Sequence, residues 1–313
     1  MQKKLLIVTD GKPGHENQSK AFCSALGYDY DCVRTSYPTR FHKALSYLVD
    51  RLGLVWDYPF KIEQTDGYYA AVVCTGSTAF YPGKIAARRR GIPVAAILYP
   101  GGYKKLNFDC ILAPVFDRPA HYPNILPIPV NLTSTHAAFY EAGVAAFRKR
   151  HTPQKPAAAV IVGGPNAFAA MTPDAMRRDL DRLFAATEGR ERWVTTSRRT
   201  PPAVEALIDT YPFDYKLLFS RDTFNPIPAF VTLCERLFVT ADSTGMISEA
   251  VTRGTASVEV LMNLKGSSSK FARFIANLEQ ERAVHVFDGT LGTANRKIDL
   301  APIFENARAL LKL

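Results

Sequence analysis

The residues best equipped for chemistry sit in a few short stretches that follow apolar runs. One is Val239-Thr-Ala-Asp-Ser-Thr-Gly-Met-Ile-Ser-Glu-Ala250, which reads as a buried strand, a polar turn and a helix opened by hydroxyls. Backbone N–H groups of Ser243, Thr244 and Gly245 would point out of the helix N-terminus, and Asp242 shares that turn. Such a junction can hold an anion, with Glu249 one turn inside placed to meet a sugar diol. The same pattern is also ordinary α/β construction, a strand followed by a capped helix.

A second stretch, Thr9-Asp-Gly-Lys-Pro-Gly-His-Glu-Asn-Gln18, packs an acid, a base, a cation and two glycines behind the first strand. Gly11 and Gly14 let the backbone bend toward a ligand, and Lys12 can neutralise phosphate. Asp10 or His15 can take a proton from a hydroxyl. His15 is the preferred base, because an imidazole with an ordinary pKa of about 6.5 is available in its neutral form near neutrality. Glu16 is held in reserve. The competing reading is structural: a tight Lys-Pro-Gly turn and a helix capped by Asn17.

Two further turns join these. Gly163-Gly-Pro-Asn166 ends a strand with the turn chemistry that lets main-chain donors of Gly163 and Gly164 approach a diphosphate. It lacks the G-x-G-x-x-G pattern, so a plain strand-to-loop turn remains open. Thr196-Ser-Arg-Arg-Thr-Pro201 supplies Ser197 and the guanidiniums of Arg198 and Arg199, a fork matched to phosphate oxygens. A solvent-facing basic turn is the alternative. Three turns at strand carboxyl ends would then converge on one anionic group.

The elements that must position these residues follow from patterning. Short β-branched runs alternate with helical stretches, twice over with a break between, which implies two parallel sheets. Strands are expected at Leu5–Val8, Tyr30–Arg34, Ala70–Cys74, Val94–Leu98, Cys110–Ala113 and Ile125–Pro127. Helices are expected near Gln18–Leu26, Arg40–Leu52 and Pro82–Arg90. The rhythm restarts at Ala157–Gly164 and continues through Arg192–Thr196, Lys216–Phe219, Leu237–Thr240, Ser257–Leu261 and Val284–Phe287. A helix over His136–Phe147 and a basic, proline-containing stretch after it suit a linker, which sets domains of 1–151 and 152–313.

Composition bounds the partners. The 313 residues are 47% hydrophobic, enough for two cores. The five cysteines are scattered without a C-x-x-C pair, which excludes a disulfide framework or zinc knuckle and fits a reducing cytoplasm. The six histidines show no ligand-like spacing, so no metal site is expected. A net charge of +10 favours acidic partners. Arg88-Arg-Arg90 and Arg148-Lys-Arg150 lack interleaved aromatics and read as solvated helix ends, so nucleic acid is not supported. The N-terminus is too briefly apolar for a signal sequence, and no run can span a bilayer, so any membrane contact must be peripheral.

These motifs together with Cys74-Thr-Gly-Ser77 and Lys270-Phe-Ala-Arg-Phe274 occur in an order that resembles the mitochondrial-fission Elm-type family over most of the chain. That family has plant organelle-division members and many bacterial members regarded as glycosyltransferases. The resemblance implies a GT-B-like α/β fold, two doubly wound Rossmann-type domains facing a cleft, with the acceptor in the N-terminal domain and a nucleotide-sugar donor in the C-terminal one. It implies acceptor-side roles for Thr75, Gly76 and Ser77, and contact of Glu249 with the donor ribose. Transfer would need no metal and no cofactor, because arginines and helix N-termini can stabilise the departing diphosphate.

The helix Arg40–Leu52 places Phe41, Leu45, Leu48 and Leu52 on one face, a spacing that usually means core. Trp56, Tyr58 and Phe60 follow in a loop flanked by Arg51 and Lys61, a mixture that suits an anionic membrane surface as well as simple packing. A glycan or glycolipid acceptor of the cell envelope would go with membrane attachment at the inner face. The competing class keeps the fold and discards catalysis, as a binding or scaffold protein. A nicotinamide-dependent epimerase is disfavoured: no glycine-rich dinucleotide loop opens the chain, and no suitably placed Tyr-x-x-x-Lys pair occurs.

Overall fold

A computed structural model describes residues 4–133, 137–267 and 269–313. The chain divides into two units, Met1–Thr135 with Asp299–Leu313, and His136–Ile298.

The first unit runs β1 (Lys4–Thr9), α1 (Pro13–Ala25), β2 (Tyr30–Ser36), α2 (Arg40–Leu52), β3 (Lys61–Ile62), β4 (Tyr69–Thr75), α3 (Phe80–Arg90), β5 (Val94–Ile97), β6 (Cys110–Pro114) and β7 (Ile125–Ile128). Its sheet has the order β3-β2-β1-β4-β5-β6-β7. All neighbours are parallel except the short β3, which pairs antiparallel with β2 through Thr35 and Ile62. Leu5 to Val8 are fully buried because helices cover both faces of a parallel sheet, and this explains why β1 reads as an unbroken apolar run. The direction of winding reverses between β1 and β4. Ligands of doubly wound sheets gather at such a switch point, outside the strand carboxyl ends.

The second unit runs α4 (Ala137–Arg148), β8 (Ala157–Val162), α5 (Pro173–Ala186), β9 (Glu191–Thr196), α6 (Pro202–Thr210), β10 (Tyr215–Leu217), α7 (Ile227–Leu233), β11 (Arg236–Thr240), α8 (Thr244–Thr252), β12 (Ser257–Leu261), α9 (Lys270–Gln280) and β13 (His285–Val286). Its sheet is parallel throughout, in the order β10-β9-β8-β11-β12-β13. Here the winding reverses between β8 and β11, so the Gly163 turn and the Asp242 turn flank the switch point. The α/β class and the doubly wound layout of each unit are as the patterning predicts, and every predicted strand is found within a few residues.

The boundary is not near residue 152. The helix α4 belongs to the second unit because Phe147 enters an aromatic cluster with Trp193, Tyr215 and Phe230, at centroid separations of 5.0, 4.8 and 5.7 Å. Its expected first residue, His136, lies outside the described residues. The final helix α10 (Ala301–Leu311) returns to the first unit, where Phe304 meets Phe22 at 6.2 Å and Arg308 donates to the Leu26 carbonyl.

Two helix readings are corrected. α1 starts at Pro13, five positions before the predicted Gln18, so Asn17 lies inside the helix and is not its cap. Proline fits the first helical position because its missing N–H is one the helix leaves unused and its φ is already helical. In α2 the predicted period is right and the side is wrong. Phe41, Leu48 and Leu52 are 72%, 55% and 64% exposed, Leu45 is half-buried, and the inward residues are Ser46, Val49 and Asp50. Asp50 tolerates burial because Lys84 Nζ lies 2.8 and 3.0 Å from its two oxygens. Burial pushes the Lys84 ammonium down to about 8, against the pull of Asp50. Trp56 and Tyr58 are exposed as expected of a loop, whereas Phe60 turns inward against Tyr81.

Among the described residues all cysteines are free, and no helix is long and apolar enough to cross a membrane.

Candidate functional site

In the first unit the loop after β1 and the loop after β4 meet at the switch point. Pro13 starts α1 immediately after the glycine turn, which puts His15 in the first helical turn. His15 Nδ1 lies 3.0 Å from Asp10 Oδ1, and the Asp10 side chain is almost wholly buried. With Nδ1 committed to a carboxylate, Nε2 is the nitrogen left to face a hydroxyl, the arrangement an oriented general base requires. The ring rests on Gly76. A Cβ there would fall 2.4 Å from His15 Cε1, and Gly76 has a φ of +84°, so two independent constraints select glycine.

Burial works to raise the Asp10 carboxyl, but Lys12 and His15 together outweigh it and hold it below the usual carboxylate range. Lys12 Nζ stands 3.0 Å from Asp10 Oδ2 in ion-pair range, so the cation expected to meet phosphate is turned first toward Asp10. Glu16, the reserve base, is paired 2.6 Å from Lys20. Gly14 has open space on its Cα. Of the acceptor-side residues, Thr75 is buried and bonded to Ser19 at 2.7 Å, which makes it a strut, while Ser77 Oγ accepts from Lys43 Nζ at 2.7 Å.

In the second unit the three predicted turns do converge, and they converge on a carboxylate. Asp242 Oδ2 accepts from Gly164 N at 3.0 Å, from Ser243 Oγ at 3.0 Å and from Arg199 Nη2 at 2.8 Å. Its other oxygen accepts from Asn263 Nδ2 at 3.0 Å. Gly163 N donates to Thr240 Oγ1 at 2.8 Å, and Arg199 Nη1 donates to the Gly164 carbonyl at 2.8 Å. Gly163 N and Gly164 N are therefore bonded inside the protein, and Arg199 spends donors of both terminal nitrogens there while its side chain stays 42% exposed. The glycines are needed for room: a Cβ on Gly163 would lie 2.2 Å from Ser243 Oγ, and one on Gly164 2.2 Å from the Arg199 carbonyl oxygen. Ser197 Oγ likewise accepts from Arg199 N within its own turn.

What this knot leaves available is narrower than the prediction. Arg198 is exposed and makes no ion pair among the described residues. The helix α8 begins at Thr244 with no side chain capping it, and Ser243 N is already bonded to the Thr240 carbonyl. Gly245 is exposed with open space around it, so the first-turn amides at Gly245 and Met246 can meet an anion. Glu249, one turn on, is half-buried and accepts from Tyr140 OH at 3.1 Å. Burial raises its carboxyl above the ordinary range, with Tyr140 and Arg253 pulling the other way.

A model described as Mitochondrial fission ELM1 matches residues 13–312. The chain belongs to that family. No curated protein matches it. Among solved structures it is similar to MnaA from S. aureus in a co-structure with UDP, at 12% identity and a TM-score of 0.49, covering 100% of this chain and 98% of that one. MurG from Acinetobacter baumannii is similar at 13% identity and 0.49, covering 99% and 92%. The ADP-heptose LPS heptosyltransferase II of E. coli is similar at 11% identity and 0.47, covering 99% and 98%.

Several residues that shape the two sites of this family member carry no signal that sequence reasoning used. Lys43 lies in an amphipathic helix and reaches Ser77 from 34 residues away; burial and Lys12 lower its ammonium below the usual lysine value. Tyr103 donates to the Ser77 carbonyl at 3.0 Å. Asn263 holds Asp242 from the end of β12, and its position just past a strand carboxyl end is the one feature that could have marked it. Among the described residues no three His, Cys, Asp or Glu side chains cluster as metal ligands do.

Proposed function

We propose that the protein is a glycosyltransferase of GT-B type that moves a sugar from a nucleotide-activated donor to a glycan or lipid-linked acceptor of the cell envelope, without a metal. The observation that carries this reading is the His15–Asp10 pair seated on Gly76 at a switch point, with Nε2 left for a hydroxyl.

In this mechanism His15 Nε2 takes the acceptor hydroxyl proton as the oxygen bonds to the sugar carbon and the sugar–phosphate bond breaks. Asp10 keeps the imidazole oriented and stabilises the imidazolium. The electron pair leaves with the diphosphate, and the first-turn amides of α8 with Arg198 meet that charge as it develops. Glu249 takes the donor ribose hydroxyls. The Asp242 knot holds the donor turns in place and does not itself touch the substrate.

A thermal-shift screen across nucleotides and nucleotide sugars comes first, since a ligand at about 100 times its Kd should stabilise the fold by about 2.7 kcal/mol. With a donor found, His15→Ala should lower kcat by about 10²- to 10⁴-fold while the donor-induced shift stays. Arg198→Ala should weaken the shift, and a chelator should change neither. Full turnover by His15→Ala would sink the reading. Nucleotide binding without turnover or hydrolysis under any acceptor would instead favour a binding or scaffold protein.

A further inference from the structure

The exposed side of α2 is the least expected surface of the first unit. Phe41, Leu48 and Leu52 face solvent from the helix, and the loop that follows adds Leu54, Val55 and Trp56. The loop aromatics fold back toward the helix start: Trp56 stacks on Tyr58 at 5.3 Å, Tyr58 reaches His42 at 5.7 Å, and His42 meets Phe41 at 6.1 Å. Apolar residues contiguous in space and left in water on this scale mark a surface that something covers. The inner side of α2 is fully occupied by Ser46, Val49 and Asp50, so no rotation of the helix can hide the stripe without breaking the buried Lys84–Asp50 pair.

Charge says what covers it. Arg40 and Arg51 lie on the same helix, and Lys104 reaches the helix end, its ammonium 3.8 Å from where a Cβ on Gly53 would be. None of these three cations has an ion-pair partner among the described residues. Of the two acids in the segment, Asp50 is consumed by Lys84 and Asp57 is paired with Arg89. Leu106, two residues on from Lys104, is also exposed. An apolar stripe with aromatic flanks and unpaired cations, free of uncompensated acid, is complementary to an anionic lipid surface, where rings and leucines enter the headgroup boundary and lysine and arginine meet phosphate.

We infer that α2 and the loop 53–58 dock the first unit on an anionic bilayer. The inference does not rest on the transferase reading, because it uses neither His15 nor the second unit.

The test is co-sedimentation of the full chain with vesicles of phosphatidylcholine alone and of phosphatidylcholine with phosphatidylglycerol. Binding is expected only to the anionic vesicles and should fall as salt rises. The double variant Leu48→Asp, Leu52→Asp should bind at least about tenfold more weakly, as should Arg51→Gln with Lys104→Gln, while both melt as the parent does. Equal binding to neutral vesicles would overturn the inference. So would unchanged binding by both variants, or no binding by a chain that sedimentation velocity shows to be dimerised through this face. No sugar donor enters the assay, so its failure leaves the transferase reading standing, and an inactive enzyme leaves this inference standing.

Discussion

Asp10 and Asp242 stand on opposite sides of equivalent switch points, Asp10 after β1 and Asp242 after β11, the counterpart of β4. Each follows the strand at a switch point, each is almost wholly buried, and each has a cation beside it. Their surroundings differ in what they leave open. Asp242 is closed by Gly164 N, Ser243, Arg199 and Asn263, all of them fixed donors. Asp10 faces an imidazole, which can carry a proton in or out, and a lysine that is 66% exposed and free to leave. The first carboxylate is part of a device that can change state. The second is a fastening.

The comparison can be broken by substitution. Asp242→Ala should have the largest effect, about 3 kcal/mol of lost stability measured by denaturant unfolding, because it strands a guanidinium, a backbone amide and a carboxamide at once. If Asp242→Ala unfolded like the parent but lost donor binding, the fastening would be a ligand site after all. Asp10→Asn should do the reverse: little change in unfolding midpoint, and a fall in kcat of about 10²-fold as the imidazole loses the partner that orients it. Gly76→Ala probes the seat of the same ring. A Cβ there meets the imidazole and a positive φ, so a loss of about 1–2 kcal/mol is expected together with reduced activity.

The smallest expected effect is in acid. The folded Asp10 carboxyl is held below its ordinary value, so its stabilising contribution is present above about pH 4 and is lost as the pH falls through the lower folded value. Stability below pH 4 should therefore drop less steeply in Asp10→Asn than in the parent, as read from unfolding midpoints along an acid series.

Much of this architecture was legible before any coordinates. Apolar runs mark the strands, and the carboxyl ends of strands in one parallel sheet must share an edge, so the convergence of Gly163, Arg199 and Asp242 was readable from order alone. What those residues do on arrival was not. A free amide and a spent amide have the same sequence, and only the arrival of Thr240 and Asp242 at Gly163 and Gly164 tells them apart. The stripe on α2 fails for a related reason: a helical period gives the angle between faces, not which face is inward. That choice was made by Lys84, 34 residues downstream, which compensates Asp50 and lets the polar side be buried. The start of α1 departs from expectation because Lys-Pro-Gly has the chemistry of a turn as well as of a helix opening; here its proline opens the helix and so sets where His15 stands.

The return of α10 to the first unit has a consequence for how the chain is made. The second unit is one continuous segment, while the first is written in two pieces, the later of them Asp299–Leu313. On the ribosome the second unit has its whole sequence before the first has its last helix, so the first unit is the last to complete its packing. Until then Phe22 lacks its cover from Phe304, and translation stalled short of residue 299 would leave that apolar surface open to chaperones.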